Sequence, residues 1–249
     1  WGYCQKKIRG WIAVIFAYFL LLGISLTQSR TAWLGLFFIC IATWVWRKHW
    51  PSRRAPWVVC GLFALFWLWP TLVKVLVEFL LLGSDQSFLR TPGQDNLRPV
   101  IWQMLASAVM QHPWLGYGWN DVVPAHLAVA NKFGPLDWVV AHSHNLFFDF
   151  VLWIGLPAGL FVSVCIIWLF FKYWRSVANA EDALLVMFLS VVGIHAMLEL
   201  PLHYAYFLLP TGVVVGTLNV RSRAKPVFIT SGWVPMGFGL AGVLLLAVI

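Results

Sequence analysis

Long runs of apolar residues, separated by short polar segments, make up most of this chain. A run of about 18 or more apolar residues is long enough to cross a bilayer as a helix. We therefore predict an all-α fold, a polytopic transmembrane helix bundle with about six to seven spans. The runs lie near residues 11–28, 31–46, 57–82, 144–171, 183–198 and 203–219, and a last one begins near 232.

The composition supports this prediction, because 61% of the residues are hydrophobic and only 10% are charged. The chain opens at Trp1 without a methionine, and the last apolar run continues to Ile249. We therefore expect residues 1–249 to be a single membrane domain within a longer chain. The four cysteines have no paired spacing, so we expect neither a disulfide framework nor a zinc site.

The basic residues predict the orientation of the spans. With the N-terminus in the cytoplasm, 12 of the 17 basic residues fall on the cytoplasmic side. A basic rim on anionic lipid accounts for the net charge of +8, so no nucleic acid is needed as a partner. One large outer loop then covers residues 83–142. The cations on the outer side run against the general bias and are candidates for function: Arg30, Lys74, Arg90, Arg98 and Lys132.

The second half of the outer loop has structure of its own. Apolar residues at helical spacing predict a surface helix over 97–111, which Arg98 opens and the sequence His112-Pro113 ends. A segment rich in glycine and aromatic residues follows at 114–120 and includes Tyr117. Such a segment suits a backbone that approaches a ligand while aromatic rings stack on sugars. It equally suits an aromatic anchor at the membrane interface.

The strongest candidate site is the segment His142-Ser143-His144-Asn145, where a polar loop meets an apolar run. Ionisable groups at that depth are costly and are usually kept for a function. We predict Ser143 as the N-cap of the next helix and His144 in its first turn, where the helix dipole favours a bound anion and a neutral imidazole. A neutral histidine beside an anion suits a general base. The alternative is two interfacial histidines with satisfied hydrogen bonds.

Two further features belong to this helix. Asn145 and Asp149 lie four residues apart and are expected to share a hydrogen bond, and Gly155-Leu156-Pro157 is expected to kink the helix. A metal site built from His142, His144 and Asp149 is a weaker alternative, because no motif with metal-ligand spacing supports it.

A third polar signal lies between two later runs, at residues 193–206. Pro201 breaks the helix there, and Glu199 is expected to pair with Arg30 or Arg98. The pair of Glu199 with an arginine is either part of a functional site or a structural contact that holds two helices together.

The motifs together resemble a known family. Thr27-Gln28-Ser29-Arg30-Thr31, Leu97-Arg98 with Trp102, the stretch 112–118, His142-Ser143-His144-Asn145 and Gly155-Leu156-Pro157 form the pattern of the O-antigen ligase and polymerase superfamily. The stretch 199–207 most resembles the branch of bacterial O-linked protein oligosaccharyltransferases, the pilin glycosylation ligases.

The resemblance implies a metal-independent transferase of the bacterial inner membrane whose site faces the periplasm, with no cofactor. The donor would be a glycan on undecaprenyl pyrophosphate. The acceptor would be a pilin-like protein hydroxyl in the favoured branch, lipid A–core in the O-antigen ligase branch, or another lipid-linked glycan in the polymerase branch.

In this scheme Arg30 and Arg98 bind the pyrophosphate, and His144 takes the acceptor proton. The substrate-binding residues would be His142, Asn145, Glu199, His203, Tyr204 and Tyr117. The rival from another class is a transporter or channel for a lipid-linked glycan or a solute. The rival is disfavoured because the polar groups gather on the outer side alone, whereas a pathway should be polar through the whole thickness.

Overall fold

The computed structural model describes residues 9–27, 29–79, 98–133 and 139–222. These residues form helices without strands, which confirms the all-α prediction. The helices are α1 (Gly10–Leu26), α2 (Arg30–Val45), α3 (Ala55–Phe79), α4 (Arg98–Val109), α5 (Val123–Val129), α6 (Leu146–Ser176), α7 (Ala180–Ala196) and α8 (Ala205–Arg221). Two short 3₁₀ turns cover Ala130–Lys132 and Pro201–His203.

Six of these helices, α1–α3 and α6–α8, coincide with the apolar runs that predicted spans. By length and composition, one helix in the described ranges qualifies as a membrane span, namely α6. Shorter apolar helices cover Trp11–Ser25, Thr31–Val45 and Ala55–Trp69. The apolar run from 232 and the loop residues 80–97 lie outside the described part of the chain.

The bundle is built around α7, which packs against α2, α6 and α8, while α3 joins α2 to α1. Buried apolar side chains fill the end of the bundle where α6 ends and α7 begins: Ala42, Trp46, Tyr173, Ala183, Val186, Met187 and Leu218. At the same end, Arg221 of α8 bonds to Asp182 (2.6 Å) and Glu181 (3.0 Å) in the first turn of α7.

A second core forms at the opposite end, where α4 and α5 cover the first half of α6. Its members include Ile101, Met104, Leu105, Val122 and Leu152, all buried. The helix predicted over 97–111 is therefore present as α4, although it ends two residues early, at Val109, and its place at a membrane surface stays a prediction. It lies on α5 and α6, because the apolar stripe of an amphipathic helix needs a partner surface.

The predicted kink in α6 is present. Gly155 has φ 82° and ψ 168°, a backbone conformation that only glycine adopts readily. The break releases helical carbonyls, and the glycine-rich loop binds them: the Tyr117 N–H donates to the Leu152 carbonyl (2.8 Å) and the Gly118 N–H to the Trp153 carbonyl (3.0 Å). The Leu156 N–H donates in turn to the Pro113 carbonyl (2.7 Å). The close backbone approach of this loop is therefore to helix α6.

The kink generates a stability prediction. A Cβ at Gly155 would overlap the backbone of Trp114, so Gly155→Ala should cost at least about 2 kcal/mol and lower the melting temperature in detergent. Gly193→Ala in α7 is the matched control, because nothing lies within 4 Å of its added Cβ and alanine favours a helix by about 0.5–1 kcal/mol. Equal melting temperatures for the two variants would contradict this account of the kink.

Candidate active site

The segment that predicted the site folds around Asn145, the N-cap of α6. The Asn145 Oδ1 atom accepts hydrogen bonds from the backbone N–H groups of Phe147 and Phe148, both at 3.1 Å. The assignment of Ser143 as the N-cap was therefore wrong. Ser143 lies two residues before the N-cap. Its hydroxyl donates to the Asn145 carbonyl (2.9 Å) and accepts from the Asn145 N–H (3.2 Å), and serine favours local turns of this kind.

This cap changes the predicted anion site at the start of α6. Two of the first-turn amides already bond to the Asn145 side chain, so the helix end offers fewer free donors than the sequence indicated. The Asn145 Nδ2 group donates to the Met197 carbonyl at 3.4 Å. Asn145 therefore joins the start of α6 to the end of α7.

A half-buried side chain, Trp102, and a buried one, Asp149, hold the backbone of Ser143 in place. The Trp102 indole N–H donates to the Ser143 carbonyl (2.7 Å), and the Ser143 N–H donates to Asp149 Oδ1 (3.0 Å). The side chain of Asp149 therefore bonds to the backbone of Ser143. The expected hydrogen bond between Asn145 and Asp149 is present between their backbones, where the Asp149 N–H donates to the Asn145 carbonyl (2.9 Å). Sequence reasoning missed the role of Trp102, although it lies one helical turn after Arg98 on α4.

His144 adopts a left-handed backbone conformation with φ 57°. This region is uncommon for residues other than glycine, and a residue held there costs about 1–3 kcal/mol. The bonds to Ser143 on one side and the Asn145 cap on the other fix this conformation. The structure therefore places His144 just before the helix, not in its first turn as predicted.

The imidazole of His144 faces Glu199, which lies just after α7. Nδ1 of His144 is 3.4 Å from Glu199 Oε2, an ion-pair distance without hydrogen-bond geometry in this arrangement. The other oxygen of Glu199, Oε1, accepts a hydrogen bond from Arg98 Nη2. The predicted pairing of Glu199 with Arg98 is confirmed. The three side chains are 33–40% exposed, so they remain open to a ligand.

A second polar cluster lies beside this group. The rings of His142 and His203 meet edge to face with centroids 4.7 Å apart, and Asp149 completes the cluster. Burial lowers the pKa of His142, and the neighbouring His203 lowers it further, while Asp149 opposes both effects. His142 is therefore held in its neutral form more strongly than an exposed histidine.

The remaining predicted site residues fall into different surroundings. Tyr204 is exposed and stacks on Tyr206 with centroids 5.3 Å apart. The Tyr117 hydroxyl donates to the Ala108 carbonyl (2.9 Å), and burial raises the pKa of that phenol. These contacts give Tyr117 a structural role, and its binding of substrate stays a prediction. Arg30 is the first residue of α2, and its side chain lies outside the described part of the structure.

The motifs that build this site also match a known family. A family model described as O-antigen ligase matches residues 14–163, which contain Arg98, His144 and the kink of α6. The chain belongs to the O-antigen ligase family. A second model, described as the C-terminal part of a virulence factor membrane-bound polymerase, matches residues 183–249, which contain Glu199 and His203.

Relatives of this O-antigen ligase family member include two proteins of Acinetobacter baylyi. A general O-oligosaccharyltransferase is 33% identical over 262 residues, which cover 98% of this chain and 44% of the relative. A ComP-specific O-oligosaccharyltransferase is 30% identical over 220 residues, 88% of this chain and 39% of the relative. The chain therefore spans less than half the length of the curated relatives it matches. No solved structure matches the chain significantly.

The lowered pKa of His142 predicts acid sensitivity. As the pH falls through about 6.5, the unfolded chain takes up a proton at this position before the folded protein does, so stability is lost on acidification. Between about pH 7.5 and about pH 5, which bracket the ordinary pKa of histidine, the melting temperature of His142→Gln should therefore fall less than that of the unmodified protein. Identical losses would contradict the assignment.

Proposed function

We propose that this chain carries the transfer site of a glycosyltransferase that moves a glycan from undecaprenyl pyrophosphate to a Ser or Thr hydroxyl of a pilin-like protein. The observation that carries the proposal is the bridging of Arg98 and His144 by the two oxygens of Glu199. At this accessible surface, an arginine that can bind phosphate lies close to a histidine that can accept a proton. The relatives named as O-oligosaccharyltransferases support the same chemistry.

The site belongs, in this proposal, to a multi-pass protein of the bacterial inner membrane and faces the periplasm. Residues 1–249 form one membrane domain, and residues 83–142 form a periplasmic loop. Large exposed apolar surfaces support the lipid contact, since soluble proteins rarely expose so much. Side chains more than half exposed include Trp11, Phe16, Phe19, Trp67, Phe79, Phe161, Trp168 and Leu209.

The arginines stabilise the leaving group. Arg98 uses Nη2 on Glu199, and its other N–H groups, which have no partner among the described residues, can bind the oxygens of a pyrophosphate. Arg30, at the start of α2, supplies a second guanidinium. Negative charge develops on the pyrophosphate as its bond to the sugar breaks, and fixed cations lower the free energy of that state.

His144 acts as the general base. In the neutral ring, the carboxylate of Glu199 facing Nδ1 favours the tautomer with the proton on Nδ1, which leaves Nε2 to accept a proton. The acceptor hydroxyl loses its proton to Nε2, and its oxygen forms a bond to C1 of the sugar. The bond from C1 to the phosphate oxygen breaks on the opposite face, so the configuration at C1 inverts and undecaprenyl pyrophosphate leaves.

The other predicted binding residues surround this centre. His203 ends the Pro201 turn and Tyr204 follows it; both are exposed, lie four and five residues after Glu199, and line the cleft for glycan or acceptor. Asn145 and His142 hold the loop that carries His144. Tyr117 contributes through the loop at 114–120, whose exposed Trp114 and Trp119 offer faces on which sugars stack.

The decisive experiment is a transfer assay with the full-length protein in detergent. It contains a chelator, a lipid-pyrophosphate-linked oligosaccharide, and a pilin-like protein and lipid A–core as competing acceptors. We expect glycan on the protein and a loss of at least about 100-fold in His144→Asn, which accepts the left-handed backbone at this position, because a general base contributes that much. His49→Ala is the control, since His49 lies in the turn between α2 and α3.

Other outcomes of this assay are informative. Glycan on lipid A–core alone would contradict the protein acceptor and favour the O-antigen ligase reaction. Transfer to neither acceptor would contradict the proposal, as would normal turnover by His144→Asn. Loss of transfer in chelator, restored by a divalent ion, would contradict catalysis by these side chains alone.

A paired arginine experiment tests pyrophosphate binding. Arg98→Lys keeps the charge but loses the planar fork, so we expect transfer to fall about 10-fold or more. Arg221→Lys makes the same change in an ion-paired arginine at the opposite end of the bundle and should transfer normally. Equal rates for the two variants, measured at saturating acceptor, would argue against a role for the guanidinium of Arg98.

A further inference from the structure

Asp149 is a fully buried carboxylate that its hydrogen bonds satisfy only in part. Its side chain has no exposed surface, and Oδ1 accepts from the Ser143 N–H. The second oxygen, Oδ2, is buried and has no hydrogen-bond partner within the described ranges. A buried carboxylate with a free oxygen is costly, so it calls for a positive charge or a donor close by.

Two histidines face this carboxylate from different parts of the chain. His142 lies in the loop before α6, and His203 lies in the 3₁₀ turn after α7. One ligand atom from each histidine and one from Asp149 all lie within 4.8 Å of one another. Nδ1 of His142 is also buried and has no partner among the described residues. Two of the three residues in this cluster therefore carry a buried polar atom without a partner among the described residues.

We propose that His142, Asp149 and His203 bind one divalent transition-metal ion of the zinc class. Two imidazole nitrogens and one carboxylate oxygen form a common three-residue ligand set, with a fourth position left for water. The ion supplies the positive charge that Asp149 lacks, and a neutral His142 is the form that binds a metal.

The geometry needs only a small adjustment. Ligand atoms around a tetrahedral zinc ion lie about 3.3–3.5 Å apart, given metal–ligand distances of about 2.0–2.2 Å. His203 is exposed and sits on a short turn, so its ring is free to close the remaining distance. The bond from the Ser143 N–H to Oδ1 orients Asp149, as the partners of metal-binding carboxylates commonly do.

The site shares no ligand with the three groups that perform the proposed transfer, although His203 also borders the proposed cleft. Arg98, Glu199 and His144 are not ligands, so the ion is not a participant in that reaction. The ion adds a second link between the loop before α6 and the end of α7, which the bond from Asn145 Nδ2 to the Met197 carbonyl already joins, so transfer in chelator is still expected. The proposal goes beyond the transfer reaction and does not depend on it.

The test measures binding in the purified full-length protein, stripped with chelator and placed in detergent without donor or acceptor. We expect one equivalent of Co²⁺ to bind with the visible absorption bands of a four-coordinate site, and Zn²⁺ to displace it. His203→Ala and Asp149→Asn should each weaken this binding at least about 100-fold. His203→Ala changes an exposed residue, so it reports on the site even if Asp149→Asn folds poorly.

His112→Ala is the matched control, because His112 is an exposed histidine on the outer loop and should leave the binding unchanged. A melting temperature raised by Zn²⁺ in the unmodified protein but not in His203→Ala would support the site further. Absence of binding, or equal binding in all variants, would overturn it. Because no transfer is measured, failure of the transfer reaction leaves this result intact.

Discussion

The break in α6 leaves backbone carbonyls that need hydrogen-bond donors, and the arrangement of the site depends on which groups supply them. Gly155 interrupts the helix, and the carbonyls of Leu152 and Trp153 bond to the loop at 114–120. This loop follows α4 directly, so its attachment fixes α4 over the first half of α6. Arg98 and Trp102 on α4 are thereby brought to the start of α6, where Trp102 bonds to Ser143.

Glu199 is the electrostatic centre of that arrangement. A lone carboxylate beside a proposed donor phosphate would repel it, but here Oε1 bonds to Arg98, whose positive charge offsets that of the carboxylate, and Oε2 faces His144. The partial exposure of all three side chains weakens each pairwise attraction through solvent screening. A ligand with greater charge can therefore rearrange Arg98, Glu199 and His144 easily, whereas a rigid, buried ion pair would resist such a change.

Much of this could be predicted from local sequence. The apolar runs gave the positions of six helices, Gly155-Leu156-Pro157 indicated the kink, and the depth of Glu199 indicated an arginine partner. The choice between Ser143 and Asn145 as N-cap was not predictable, because both residues favour that position and backbone angles decide between them. The meeting of His203 with Asp149 depends on how α7 and its turn return to α6, which no local pattern encodes.

The left-handed backbone at His144 has a consequence for anyone who replaces this residue. Asparagine and glycine accept that conformation, whereas valine, isoleucine and threonine do not. A survey of all replacements would therefore combine two effects, the loss of the imidazole and the inability of some residues to adopt the left-handed conformation. Only replacements that accept the left-handed conformation report on the side chain alone. The activity of the other variants also reflects how well each residue adopts this backbone conformation.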